Sequence, residues 1–164
     1  MTWCLEFLLK IMYRASVILF MLALPVISVV WQYFGQGIGL DMQLIGKWFL
    51  FWGIGGRLLT AGLRQIMQPA FTATEIFHID NPASYVIVRE LGFANGCLGL
   101  ISFCSLFQPT WRIPAAIAGG LYFGTASFLH VFRKADSINE VIALWSDMFI
   151  FDVMLAYVVV SLAT

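Results

Sequence analysis

Five apolar segments alternate with short polar turns along the chain. Each segment is long enough to cross a bilayer as a helix, which takes about 20 apolar residues. No linker, internal repeat or low-complexity tract separates them, so the pattern predicts one all-α membrane domain. The predicted spans cover residues 11–34, 42–68, 82–107, 111–132 and 138–162.

Residues in the turns set the predicted ends of the segments. Asp41 is predicted to cap the second helix, and Pro69 to end it, because a proline disfavours helical geometry in the residue before it. Asn81 is predicted as the N-cap of the third span, with Pro82 at its first helical position. Pro25 lies inside the first span, where a kink is expected.

A short helix is predicted between the second and third spans, over residues 71–77. Thr72 and Glu75 have the spacing of a capping box, and so do Ser137 and Glu140 at the start of the fifth span. Because the short helix cannot cross a bilayer, we expect it at the cytoplasmic interface.

The composition agrees with a multi-pass membrane protein. Hydrophobic residues make up 61% of the chain, charged residues only 11%, and the mean hydropathy is +0.89. A soluble domain has about 45–50% apolar and about 25% charged residues. Nine basic and nine acidic residues cancel, so no nucleic-acid partner is expected.

The cysteines indicate no metal site. Cys4, Cys97 and Cys104 form neither a CxxC pair nor a zinc-binding spacing, and we expect them to be small core residues. Two small-residue patterns are expected to pack helices together: a GxxxG motif at Gly92 and Gly96, and a ridge with small residues at every fourth position, namely Ala116, Gly120 and Gly124.

The distribution of lysine and arginine predicts an orientation. Basic residues are more frequent on the cytoplasmic side of membrane proteins. With the N-terminus inside, the cytoplasmic ends would hold six basic residues against two outside, Lys47 and Arg112. We therefore expect an inner-membrane protein with its N-terminus in the cytoplasm. The first span is expected to be a retained signal anchor. The six residues are Lys10, Arg14, Arg64, Arg89, Arg133 and Lys134.

The second span carries an unusual polar stripe. Arg57, Arg64 and Gln68 fall within about 40° of one another on a helix, with the small residues Thr60 and Ala61 beside them. A charge at membrane depth normally faces the protein interior and pairs there. The stripe therefore predicts a buried polar network.

Counting depth along each helix suggests partners for these arginines. Arg57 matches Asp152 or Asn95, and Arg64 matches Glu90 or Asp147. We expect Asp152 and Asn95 to face the bundle axis, and Asp147 and Glu90 to bridge to neighbouring helices. His130 lies near the cytoplasmic end of the fourth span.

These polar residues have two interpretations. The charges could only hold the helices together, or they could form a ligand-binding cleft, and for Arg57 with Asp152 the two stay equally open. No catalytic residue is predicted. The predicted network or binding set is Arg57, Arg64, Gln68, Glu90, Asn95, His130, Asp147 and Asp152.

Three stretches carry a family resemblance: "RLLTAGLRQIMQPAFTATEIF", "VRELGFANGCLGLIS" and "HVFRK…NE…SDMFIF". They resemble uncharacterised bacterial membrane proteins and, more distantly, are similar to the DoxX-like families. Arg57, Gly62, Arg64 and Pro69 match the shared pattern. Over residues 48 to 160, the resemblance implies a four-helix core with one added N-terminal helix, and a link to quinone-coupled redox complexes.

Three functions are compatible with these features. The favoured one is a binding module or accessory subunit for a lipid, a quinone, a partner protein or a second copy of itself. The alternative is a DoxX-type quinone-linked oxidoreductase component, in which His130 or Glu90 would handle protons. A carrier gated by Arg57 and Asp152 is less favoured, because carriers show internal repeats or broken helices. An enzyme is not favoured, since His78 and His130 are the only histidines.

Overall fold

The computed structural model describes residues 11–133 and 138–163. Cys4, Lys10, Lys134 and Ser137 lie outside these ranges, and so does the proposed capping box at Ser137. The described residues form helices and turns without a β-strand, so the prediction of an all-α fold is confirmed.

Six helices follow one another in the described ranges, each within a few residues of a predicted segment. Their bounds are α1 at Ile11–Gln36; α2 at 42–67; α3 at 69–76; α4 at Ser84–Cys104; α5 at Arg112–Arg133, entered through a 3-10 turn at Pro109–Trp111; and α6 at Ile138–Ala163.

Four of these helices, α1, α4, α5 and α6, are long and apolar enough to cross a membrane. Helix α2 is less hydropathic, because it carries Lys47, Arg57 and Arg64 and several glycines. It packs against all four and holds two fully buried side chains, Leu50 and Ile54. The fold is therefore a bundle of apolar helices around a more polar central helix.

Helix α2 changes its winding in the middle. Phe49–Gly56 forms a π-helix between two α-helical parts, Met42–Trp48 and Arg57–Met67. A π-helical turn is wider than an α-helical one and is frequent at functional sites. Arg57, the first residue of the predicted polar stripe, follows it directly.

The ends of α2 are as predicted. The Asp41 carboxylate accepts a hydrogen bond of 2.8 Å from the Leu44 amide. Gln68 leaves helical geometry, with φ of −133° and ψ of 60°, and Pro69 starts the next helix. At the start of α4, the Asn81 side-chain oxygen accepts a hydrogen bond of 3.0 Å from the Ala83 amide, which is the bond expected of an N-cap with Pro82 after it. The regular α-helix begins two residues later than predicted, at residue 84.

The capping box predicted for the short helix is wrong. Helix α3 begins at Pro69, and Thr72 lies inside it with helical φ and ψ of −68° and −40°. The reason is that proline, which lacks an N–H and has a fixed φ, starts a helix well. Phe71 and Ala73 are buried, and α3 packs against α2 and α4.

Glycines bring α2 and α4 into backbone contact. A Cβ atom on Gly62 would lie 2.7 Å from the Gly92 carbonyl oxygen, and one on Gly99 would lie 2.7 Å from the Leu59 amide nitrogen. A Cβ on Gly96 would meet nothing within 4 Å. The Gly96 amide nitrogen is nevertheless part of the contact, because a Cβ on Gly62 would lie 2.9 Å from it. The GxxxG motif is thus an internal contact, as predicted.

The small-residue ridge of α5 packs on α6 in the same way. A Cβ on Gly124 would lie 2.6 Å from the Phe151 ring, and one on Gly120 would lie 3.1 Å from Met154. Ala116 is buried in the same core. Together, the two close helix pairs fix the walls of the space described next.

Candidate functional site

A cavity of about 510 Å³ lies at one end of the bundle. Its lining comes from the start of α1, the second half of α2, α3, the first half of α4, the second half of α5 and the first half of α6. Since successive long helices run in opposite directions, all these parts lie at the same end. The volume is in the range of about 300–1,000 Å³ that is typical of small-molecule pockets.

Helix α2 supplies the polar wall of the cavity. Arg57, Arg64, Gln65 and Gln68 all line it. Thr60 lies between the arginines and donates hydrogen bonds of 2.9 Å to backbone oxygens of its own helix, so its hydroxyl proton is already used. The predicted stripe at positions 57, 64 and 68 therefore faces one open space.

Arg57 has no ion-pair partner in the described part of the chain. No carboxylate there lies within 4.0 Å of its nitrogens, and its Nε is buried without a hydrogen-bond acceptor. Its guanidinium carbon lies 5.4 Å from the centre of the Tyr13 ring. A cation over a ring face is attracted to it, but the ring accepts no conventional hydrogen bond from Nε.

Arg64 packs on the short helix. Its guanidinium carbon lies 4.1 Å from the centre of the Phe71 ring, a close cation–π distance. Because Phe71 is buried in α3, this contact joins the polar wall to the segment that covers one side of the cavity.

Helix α4 supplies a buried amide on the facing wall. The Asn95 side chain is 2% exposed, and its Nδ2 donates a hydrogen bond of 2.8 Å to Gln65 Oε1. Its Oδ1 is buried without a donor. A buried polar atom without a partner costs about 1–3 kcal/mol, so a ligand that donates a hydrogen bond to Oδ1 would remove this cost.

Helices α5 and α6 complete the lining with Tyr122, His130 and Asp147. Within the described ranges, His130 and Asp147 form neither a hydrogen bond nor an ion pair with one another. Of the lining residues that the structure describes, Asp147 alone is acidic. The cavity thus contains two guanidinium groups and one carboxylate that are not paired directly.

Two predicted members of the network lie elsewhere. Glu90 and Asp152 are exposed on the outer surface of α4 and α6, and neither lines the cavity. The predicted pairs of Arg57 with Asp152 and of Arg64 with Glu90 are therefore wrong. The two acidic positions on α6 are about 140° apart, so only one can face inward. The structure turns Asp147 inward.

The buried stripes of the two helices explain this choice. On α6, Ile150, Met154 and Tyr157 are buried at spacings of four and three, and Asp147 continues that series. On α4, the series is Val88, Gly92, Asn95, Gly99 and Ser102. Asp152 and Glu90 belong to neither series. The spacing of each acidic residue from the buried residues of its own helix could have shown that Asp147 faces inward and that Asp152 and Glu90 do not.

Tyr13, Gln65 and Tyr122 also line the cavity and were not in the predicted set. Tyr13 lies at the start of α1, a helix from which the predicted set takes no residue. Gln65 lies next to Arg64. Because a polar amide is rare at membrane depth, its position in the second span could have placed it in the predicted set. Tyr122 lies one turn before Ala126 on the inner face of α5 and has no distinguishing sequence pattern.

The cysteines and acids offer no metal-binding group in the described residues. Cys97 is exposed on α4 and Cys104 is half-buried, so the expectation of a core position is wrong for Cys97. Its helix turns the stripe of Asn95 and Gly99 inward, which leaves position 97 facing outward.

Comparison of the chain with protein-family models, with curated proteins and with solved structures finds no match. The resemblance to DoxX-like families accordingly gains no support from these comparisons. The functional argument rests on the cavity and its lining.

Proposed function

We propose that this membrane protein binds an amphiphile of the bilayer, a lipid or a quinone, and holds its polar head group in the cavity. The observation that carries the proposal is the lining itself. One wall joins two arginines to Gln65 and Gln68, while aromatic and aliphatic side chains form most of the rest.

The edge of the cavity supports an amphiphile over a water-soluble ligand. Three apolar side chains line the cavity and are also largely exposed: Met12 at 61%, Leu63 at 58% and Met67 at 77%. They form an apolar mouth beside α1 and α2. An acyl or isoprenoid chain can leave through such a mouth into the lipid while its head group stays inside.

The chemistry of the lining supports binding rather than a reaction. A general acid or base acts when it lies within hydrogen-bond reach of the group that it serves, and catalytic side chains are usually oriented by a second residue. His130 has no such partner in Asp147. The orphaned atoms of Arg57 and Asn95 are instead suited to hold a head group.

The proposal includes a topology. Helix α2 runs through the centre of four helices that are apolar enough to span, so we propose that it also crosses, which gives five spans. With more lysine and arginine near the cavity end, that end faces the cytoplasm of a bacterial inner membrane. Reporter fusions at residues 2 and 164 test this, since five spans require signals from opposite sides.

Native mass spectrometry of gently solubilised protein tests the binding function. We expect a retained lipid or quinone mass on the wild type, and its loss from the double variant Arg57→Gln with Arg64→Gln. Arg89→Gln is the matched control, because Arg89 is an exposed cation on α4 that does not line the cavity. Equal retention in the double variant and the control would refute the proposal.

A further inference from the structure

The charges of the lining indicate the charge of the ligand. Among the described lining residues, two arginines and an ionised Asp147 leave a net formal charge of +1 when His130 is neutral. Buried charge without a counter-charge is unfavourable in a low-dielectric interior. A ligand with one negative charge balances the cavity, whereas a neutral quinone or a zwitterionic lipid leaves the excess charge in place.

The orphaned atoms indicate the hydrogen bonds of the ligand. Arg57 Nε is a buried donor without an acceptor, and Asn95 Oδ1 is a buried acceptor without a donor. The Asn95 amide is held in place through its 2.8 Å bond to Gln65. A ligand that satisfies both atoms must present an acceptor to one side and an O–H or N–H donor to the other.

We infer that the ligand is an amphiphile whose head group carries one negative charge and a free hydroxyl, as in a phospholipid whose head-group alcohol is glycerol. This inference rests on the proposed function and narrows it. A phosphate oxygen accepts from Arg57 and Arg64, and the hydroxyl donates to Asn95 Oδ1. A fatty acid supplies the charge but lacks the hydroxyl.

The positions of the arginines fit a phosphate. They lie two helical turns apart, a rise of about 10 Å, and their long side chains can converge on one group between them. The small residues Thr60 and Ala61 lie between them in the sequence and line the same cavity. The planar guanidinium matches phosphate oxygens in a two-bond geometry that a lysine cannot reproduce.

The test is competitive binding in nanodiscs with lipids of equal chain length. Phosphatidylglycerol carries one negative charge and head-group hydroxyls; phosphatidylethanol carries the charge alone; phosphatidylethanolamine is zwitterionic; a ubiquinone is neutral. Native mass spectrometry after release should give adducts in that order, with phosphatidylglycerol at least about tenfold above phosphatidylethanolamine. That ratio corresponds to about 1.4 kcal/mol, close to the lower end of about 1.5–3 kcal/mol for one hydrogen bond to a charged group.

Variants assign the preference to the cavity. Arg57→Gln should lower the ratio of phosphatidylglycerol to phosphatidylethanolamine by about tenfold. Arg57→Lys, which keeps the charge, should retain the preference for monoanions. Arg89→Gln should leave the ratio unchanged. A melting temperature measured for each variant confirms that it is folded. If Arg57→Gln does not fold, Arg64→Gln serves as the second charge variant.

The outcomes separate the inference from the function it rests on. Retention of ubiquinone or phosphatidylethanolamine as strongly as phosphatidylglycerol overturns the head-group inference and leaves the amphiphile proposal standing. No adduct with any of the four probes refutes both. Soluble glycerol 3-phosphate is a further arm: if it raises the melting temperature while phosphatidylglycerol gives no adduct, the site binds a free anion and the lipid assignment is wrong.

Discussion

The two ends of the bundle differ in whether their polar side chains have hydrogen-bond partners. At the end away from the cavity, Lys47 donates a hydrogen bond of 2.6 Å to Gln32 Oε1, and the Trp48 indole donates another of 2.8 Å to the same oxygen. Arg112 donates to the Ser105 carbonyl oxygen at 3.2 Å. At the cavity end, Arg57 Nε and Asn95 Oδ1 have no partner.

This difference separates polar groups that hold the fold together from polar groups whose hydrogen bonds a ligand could complete. Lys47 and Arg112 are bound by their neighbours, so their contribution is to hold helices together. The arginines of the cavity contact aromatic rings and open space instead. A cation on an apolar helix therefore does not by itself show whether it holds helices together or binds a ligand. Whether neighbouring residues satisfy its hydrogen bonds distinguishes the two interpretations.

The largest expected effect tests what holds the cavity end together. Gly62→Val places side-chain atoms where even a Cβ would lie 2.7 Å from the Gly92 carbonyl oxygen, so α2 and α4 must separate. We expect a loss of about 3 kcal/mol or more in the free energy of unfolding, measured by denaturation in mixed micelles.

The matched control is Gly96→Ala in the same helix contact. A Cβ there meets nothing within 4 Å. Alanine also favours a helix over glycine by about 0.5–1 kcal/mol, so this variant should unfold no more easily than wild type. Equal stability of Gly62→Val and Gly96→Ala would show that backbone contact does not hold the cavity end.

The next effect is expected at the opposite end. Gln32→Leu removes the oxygen that both Lys47 and Trp48 use, and leaves two donors without a partner. The free energy of unfolding should fall by about 1–3 kcal/mol. Gln43→Leu is the control, because Gln43 is exposed and bonds only to Ser161. If both glutamine variants behave alike, the end away from the cavity is not held by this network.

A smaller effect is expected for Arg57 itself. Arg57→Leu removes a cation–π contact with Tyr13, worth about 0.5–1 kcal/mol, but breaks no direct ion pair in the described part of the chain. The same denaturation experiment should therefore give a loss below that of Gln32→Leu. A loss of about 3 kcal/mol would mean that Arg57 has a structural partner after all, and would remove the contrast between the two ends.

The helices and the polar stripe of α2 could be predicted from the sequence. Polar turns interrupt the apolar segments clearly, and the stripe stands out because arginine and glutamine are rare at membrane depth. The rotation of α4 and α6 was harder to predict. Lipid is as apolar as a protein core, so apolar residues such as Leu155 and Ile150 do not reveal which side faces inward.

The face of α6 that points inward is set by its contacts with another helix, α2. Asp147 faces the cavity because Ile150 and Tyr157 pack onto the glycine positions of α2, Gly53 and Gly46. That pairing joins residues about 100 positions apart in the chain. The same limit applies to Tyr13, whose place in the site depends on how α1 lies beside Arg57.

The smallest expected effect is on the acid that was predicted to pair with Arg57. Asp152 is exposed on the outer face of α6 and does not line the cavity. Asp152→Leu should therefore change the free energy of unfolding by no more than about 0.5 kcal/mol, as for an isolated surface residue. A double-mutant cycle with Arg57→Leu should show a coupling energy near zero, because residues without shared contacts act additively. A coupling above about 1 kcal/mol would establish the pair across the bundle and would place α6 in a different rotation, with Asp147 turned away from the cavity.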